Sequence, residues 1–179
     1  MPANTQTPPS DVVAVQSHGR SYLFYVSPRN VISYLRSPPN GIESASAPPY
    51  EKKILGTDGQ SFEVSPDCRQ VAAISWDDQI RVYYADTDRN LKEVCKGGEG
   101  GWTTGDCGRD ENWKLAVGSS ISASVQRTAS DLVLKVYAVR DGNANDNGMP
   151  QTSCFYIHLD KDFTGTWAPR NITKGIPSY

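Results

Sequence analysis

One short pattern occurs three times along the chain and limits what it can fold into. Tyr22-Leu23-Phe24-Tyr25, Ile80-Arg81-Val82-Tyr83 and Leu134-Lys135-Val136-Tyr137 each follow a run of small or apolar residues, at 12–15, 71–74 and 121–125. The closing tyrosines, Tyr25, Tyr83 and Tyr137, fall 58 and 54 residues apart. Self-similarity at such a period marks stacked supersecondary units, each too small to bury its own apolar face. Between the repeats the chain alternates short β-branched or aromatic runs with Gly, Pro, Asn and Asp, and helical periodicity is absent. The pattern predicts an all-β chain with strands over 12–16, 22–26, 31–35, 52–55, 71–76, 80–84, 91–95, 121–126, 132–139 and 153–159.

The period is close to that of a four-stranded propeller blade, about 40 to 50 residues, lengthened by loops. Three such blades are expected, at about 11–57, 58–117 and 118–175, in a single domain over 11–179 that follows a flexible tail over 1–10. Propellers close with about four to eight blades, so three leave strand edges and apolar faces open. Two copies on a two-fold axis make six, and a homodimeric six-bladed β-propeller is the expected architecture.

Charge and composition narrow the function. Eighteen Lys and Arg against twenty Asp and Glu give a net charge of −2, with no basic stripe for nucleic acid or an anionic membrane. The polar, Pro- and Thr-rich start lacks the features of a secretory signal, and no segment reaches membrane-span length. The expected location is therefore cytoplasmic, or outside the cell by an unconventional route. Cys68, Cys95, Cys107 and Cys154 form no CxxC pair and are expected as reduced, buried or half-buried thiols, and without secretion the sequon at Asn171 is expected to stay bare. His18 and His158 stand apart from any carboxylate pattern that a metal or an activated serine would need. The stretch Asp141 to Gly148 is no calcium loop, because Asp146 takes the place of the required Gly and Thr152 that of the required Glu; a long hairpin turn is expected there. No phosphate loop exists, so no cofactor, metal or catalytic group is expected.

The middle unit carries the chemistry. It reads Val71 to Trp76, then Gln79-Ile-Arg-Val-Tyr-Tyr-Ala-Asp86, then Asn90-Leu-Lys-Glu-Val-Cys95, then Gly100-Gly-Trp-Thr-Thr-Gly105. These segments resemble a blade of the fungal fucose-specific lectins, a six-bladed β-propeller family whose blades carry "IRVYxQ", "NxxxE" and "GWxxG" in that order. The resemblance is strongest over 58–125. It implies that Arg81 and Glu93 face a sugar across a cleft between blades, that a backbone amide near Asp106 assists, and that Trp102 and Trp76 belong to the ligand-binding set. The chemistry fits: a guanidinium donates from a fixed fork while a carboxylate only accepts, so the pair sorts hydroxyls by position. The plainer alternatives are a cross-strand ion pair for Arg81 and Glu93, and a packing seal for Trp102.

The outer units depart from the pattern. In the first, Leu23 is read at the Arg position and Ser33 at the Glu position; in the third, Lys135 replaces the Arg and no Glu follows. Lys96 stands where the family has a second Trp. The aromatic wall for Arg81 and Glu93 is expected from another blade, the candidates being Trp167, Tyr156 and Phe155 of the third or Tyr50 and Tyr34 of the first. The expected function is a lectin binding fucose or a related sugar, with a glycan or small molecule as partner. A secondary-metabolism enzyme of cyclase or isomerase type, or a protein-interaction module, remains open on the same scaffold.

Overall fold

The computed structural model describes residues 9–40, 46, 48–128, 131–144, 150–160 and 163–174. Among them there is no helix. Twelve strands form three four-stranded antiparallel sheets, each built from strands consecutive in sequence. The first holds β1 (Ser10–Ser17), β2 (Arg20–Val26), β3 (Ile32–Arg36) and β4 (Glu51–Ile54). A small hairpin, β5 (Gly56–Thr57) and β6 (Gln60–Ser61), leads to the second sheet: β7 (Val71–Trp76), β8 (Gln79–Ala85), β9 (Leu91–Gly97) and β10 (Trp102–Thr104). The third holds β11 (Ile121–Arg127), β12 (Leu132–Ala144), β13 (Pro150–Leu159) and β14 (Ala168–Asn171).

All ten predicted strands are present, each within a few residues of its predicted ends. The fourth strands of the second and third sheets, β10 and β14, were not predicted; at three and four residues they are too short to show alternation. Residues Asp141 to Ala144 extend β12 rather than forming a turn, and 145–148 of the expected hairpin lie outside the described residues, as do 1–8 of the expected tail.

The sheets stand as blades. The first strands β1, β7 and β11 run side by side with β7 in the middle, and the later strands of each sheet step outward from that line. The turns suit the tight hairpins: His18 and Gly19 between β1 and β2, and Asp58 and Gly59 between β5 and β6, all have positive φ, as a two-residue turn matched to strand twist requires. At Asp11, a bulge residue with φ of 63°, the side chain turns out of blade 1 to accept the Val71 amide at 2.9 Å, tying blade 1 to blade 2.

Alternation within the middle blade builds two cores. Ile80, Val82, Tyr84 and Val94 pack on Tyr22, Phe24, Val26 and Tyr34 of blade 1. Tyr83, Ala85 and Leu91, on the opposite face, pack on Leu134, Val136, Phe155 and Ile157 of blade 3. Both faces of blade 2 are covered, whereas no other sheet of the described residues packs on the far face of either outer blade. On blade 1 that face carries exposed Val12 and Ile54 with half-buried Leu23 and Tyr25; on blade 3 it carries half-buried Lys135, Tyr137 and Tyr156.

The four cysteines are free and buried. Burial pushes the Cys68 thiol up to about 11 and the Cys95 thiol up to about 12. A folded sample should therefore react negligibly with a thiol reagent at neutral pH and fully once unfolded, since the thiolate is the nucleophile. Fast labelling of the native protein would contradict this packing.

Candidate sugar-binding site

The β8–β9 register sets the geometry. Tyr83 pairs with Glu93 and Arg81 with Cys95, so Arg81 and Glu93 sit diagonally on one face of blade 2, the face toward blade 3. The two charges are not closed on each other. Arg81 Nε stands 3.9 Å from Glu93 Oε1, outside hydrogen-bond range, with side chains 18% and 4% exposed. Glu93 Oε2 accepts the backbone N–H of Asp106 at 3.0 Å and that of Cys107 at 3.3 Å. That clamp fixes the carboxylate and leaves Oε1 facing the arginine.

Arg81 is held from below. Its guanidinium carbon lies 5.4 Å from the centre of the Trp76 ring, a cation–π arrangement, yet its buried Nε has no acceptor among the described residues. Burial raises the Glu93 carboxyl above the ordinary 4.5. Arg81, the two backbone amides and the Tyr83 phenol pull it back without cancelling the shift.

Gly105 makes the clamp possible. A Cβ there would lie 2.2 Å from Glu93 Oε2 and 2.6 Å from Cys95 Sγ, closer than any side chain can sit. Gly105→Ala is expected to displace Glu93 and to destabilise the fold by about 1 to 3 kcal/mol, the usual cost of overpacking, in thermal or denaturant unfolding. An unchanged midpoint would show that the turn yields without strain.

Blade 3 supplies the other wall. Leu134, Ile157 and Leu159 lie across a crevice of about 270 Å³, with Phe163 and Trp167 beside them. Trp167 packs edge-on against Tyr83, ring centres 5.9 Å apart at 76°, so the indole stands directly over the blade that bears Arg81 and Glu93. At the mouth Asp106 and Arg109 pair at 2.6 Å. One wall is thus hydrogen-bonding and the other apolar, and the volume of about 270 Å³ between them is large enough for one sugar ring.

The sequence profile of the family described as fungal fucose-specific lectin matches residues 51–164, well over half of the chain. The chain belongs to the fungal fucose-specific lectin family. Two solved structures of the Aleuria aurantia fucose-specific lectin, one described as a six-bladed β-propeller, share its fold with TM-scores of 0.59 and 0.58 at 17% identity. Each comparison covers 89% of this chain and 47% of the Aleuria chain, so this chain spans about half of such a propeller. A fucose lectin from Kordia zhangzhouensis, solved with methyl-fucoside, matches with a TM-score of 0.50 at 12% identity over 89% of this chain and 97% of its own. No curated protein sequence matches the chain.

Within this lectin-family fold the predicted residues fall in different places. Arg81 and Glu93 meet in the crevice. Trp76 lies beneath Arg81, 8% exposed in the core, and does not line the opening. The Asp106 amide is spent on Glu93 rather than facing the crevice, because the Gly105 turn brings it onto the carboxylate; the Asp106 side chain does reach the mouth. Trp102 faces the other junction. Paired with Lys96 in the β10–β9 register, it points toward blade 1, edge-on to Phe24 and Tyr34 at 5.7 Å each, with its Nε1–H donated to Tyr34 Oη at 3.4 Å. It seals packing there.

Of the aromatic candidates, Trp167 forms the wall. Phe155 is fully buried against Trp113, Tyr156 lies on the far face of blade 3 beside His158, Tyr34 belongs to the other junction, and Tyr50 precedes β4. Phe163 went unrecognised; it sits in a loop, in no motif, with φ of 58°. The first blade also needs realignment by one residue. Phe24, not Tyr25, occupies the place of Tyr83, so Tyr22 and Tyr34 stand where Arg81 and Glu93 do, and Leu23 and Ser33 face away from blade 2. Aromatic residues of both parities in Tyr22-Leu23-Phe24-Tyr25 made counting from the last tyrosine misleading. In the third blade Lys135 donates to Gln126 at 2.8 Å and Cys154 pairs with Tyr137 where a Glu would be needed.

Proposed function

We propose that this protein is a carbohydrate-binding lectin that takes fucose or a closely related deoxy sugar between blades 2 and 3. The observation that carries the reading is the buried Arg81 Nε, without an acceptor among the described residues, 3.9 Å from a clamped carboxylate in a crevice that Trp167 also lines. A buried donor left unpaired costs about 1 to 3 kcal/mol, and a sugar hydroxyl entering the gap accepts from Arg81 while donating to Glu93 Oε1. The deoxy face lies against Trp167 and the aliphatic side chains of blade 3, where a further hydroxyl would be buried without a partner. Family membership and the two-sided crevice support this together.

The same proposal includes ring closure by a second copy. The open face of blade 1, with Val12, Leu23, Tyr25 and Ile54, meets the open face of blade 3 from the partner, twice, around a two-fold axis. Lectin rings need covered blade faces, and this chain spans about half of the six-bladed Aleuria protein.

Titration calorimetry with α-methyl fucoside tests the site. Saturable binding that is lost in Trp167→Ala, by about tenfold or more, supports it; no binding, or equal binding by that variant, overturns it. Sedimentation tests the ring: twice the 19.6 kDa chain mass is expected, reverting to the single mass in Leu23→Glu. A wild-type monomer would refute closure by a second copy.

A further inference from the structure

The junction between blades 1 and 2 repeats the crevice between blades 2 and 3 with a different set of charges. Tyr22 occupies the place of Arg81 and Tyr34 that of Glu93, while Arg36, the register partner of Tyr22, stands where Cys95 does. The cation has moved from the second strand of the blade to the third. A crevice of about 340 Å³ opens beside it, walled by Tyr22, Arg20 and Arg36 of blade 1 and by Lys96, Gly98 and Glu99 of blade 2.

Charge balance separates the two crevices. In the first, Arg81 and Arg109 meet Glu93 and Asp106, so positive and negative groups cancel. In the second, Arg20, Arg36 and Lys96 line the opening with Glu99 as the one carboxylate among its described lining residues, while Glu51 pairs with Arg36 from outside the lining. Glu51 is shared: its Oε2 lies 2.5 Å from Arg36 and its Oε1 3.0 Å from Lys53. His18 is occupied by Asp78 at 3.6 Å. Among the described residues that line the opening, positive charge is in excess.

The cations are also held in place and under-used. Arg20 Nη1 donates to Ser37 O at 3.0 Å, and Lys96 Nζ donates to Gly98 O at 2.7 Å and Gly100 O at 2.5 Å. Among the described residues Arg36 Nε is buried without an acceptor, as Arg81 Nε is in the first crevice. Burial, and then the charge of Arg36, hold the Lys96 ammonium below its ordinary pKa, with Glu99 too weak an opponent to restore it. Three positioned cations with spare donors and too few counter-charges are what a single anionic group satisfies.

We propose that the blade 1–blade 2 crevice is a second saccharide subsite, selective for a sugar that carries a carboxylate or a sulfate ester. The anionic group meets Arg36, Lys96 and Arg20, and the ring lies over the crevice floor, where Tyr22, 3% exposed, stands in place of the Arg and Glu fork. The inference rests on the lectin reading of the fold but uses none of the residues of the first crevice.

The test uses full-length Arg81→Lys protein, in which the first crevice is silenced, titrated by NMR or calorimetry with glucuronic acid, glucose 6-sulfate, glucose and inorganic sulfate. Saturable binding of either acidic sugar is expected, with glucose and inorganic sulfate each at least about tenfold weaker. Lys96→Gln and Arg20→Gln, which lie on different blades, should each weaken it about tenfold at an unchanged melting temperature, as loss of one charge-assisted hydrogen bond does. Raising the salt should weaken it further, while binding of α-methyl fucoside to wild type stays constant. Which acidic sugar binds tells carboxylate from sulfate ester. Equal binding of glucose, equal binding of inorganic sulfate, no binding of either acidic sugar, or indifference to both substitutions overturns the proposal. Failure of α-methyl fucoside to bind wild type would sink the first crevice alone.

Discussion

Replacing Arg81 by Ala should weaken fucoside binding by at least about a hundredfold, which corresponds to about 2.7 kcal/mol. The guanidinium offers the buried Nε and its fork to hydroxyl oxygens, and each charge-assisted hydrogen bond contributes about 1.5 to 3 kcal/mol. Stability should fall as well, because Glu93, 4% exposed, would lose its counter-charge. The pH dependence of that fall is fixed by sign. Burial raises the Glu93 carboxyl in the folded state, and without Arg81 it rises further, so the folded state prefers the proton. Stability from such a group is fully present below its unfolded pKa and lost as pH rises through the folded value. The difference in melting temperature between wild type and Arg81→Ala should therefore be wide at neutral pH and narrow near the ordinary 4.5.

Arg81→Lys separates the two effects. A lysine keeps positive charge near Glu93 and so retains most of the stability, but it lacks the planar fork and donates from a single point. Binding should stay lost while melting recovers. If Arg81→Lys binds fucoside as wild type does, charge alone suffices and the forked geometry is irrelevant. If Arg81→Ala binds normally, the crevice is not the site.

Much of this was readable in the sequence because blades repeat. The order of the segments around Arg81, Glu93 and Gly105 put both charges on adjoining strands, and period-two alternation with an antiparallel register then brought them to one face. The direction in which that face looks was not readable. It depends on how blade 2 packs between its neighbours, which is decided by the two cores together rather than by any local pattern. Trp102 shows the limit most clearly. Whether it faces blade 1 or blade 3 turns on its pairing with Lys96, and that pairing is set by the length of the glycine-rich turn from Gly97 to Gly101. The realigned first blade has the same cause: Tyr22, Phe24 and Tyr25 all suit a strand, and only burial against Trp102 shows which parity faces inward. Phe163 had no signal, since a loop residue is placed by the ends of β13 and β14.

Glu93 gives the remaining large effect, and it is a pH effect. An ionised carboxylate accepts from sugar hydroxyls at Oε1, while a protonated one competes with them as a donor, so fucoside affinity should fall as Glu93 takes up a proton. Because burial lifts the carboxyl, the fall should begin above the ordinary 4.5, in a range where a surface Glu is still ionised. The fold does not fail with it: this group contributes more stability as pH drops, so binding and unfolding part company. Two groups beside Glu93 stand outside that window, since burial pushes Cys95 up to about 12 and raises Tyr83 far above neutrality. Asp106→Asn, at the mouth, should keep the acid limb, because the limb belongs to Glu93. Glu93→Gln should bind at least about tenfold more weakly at neutral pH and show no acid limb, because the amide keeps one acceptor oxygen but neither the charge nor the titration. Calorimetry from pH 7 downward, with melting followed in parallel, reads both. An affinity that holds constant to below 4.5, or an acid limb that persists in Glu93→Gln, would remove Glu93 from the site and leave Arg81 without its partner.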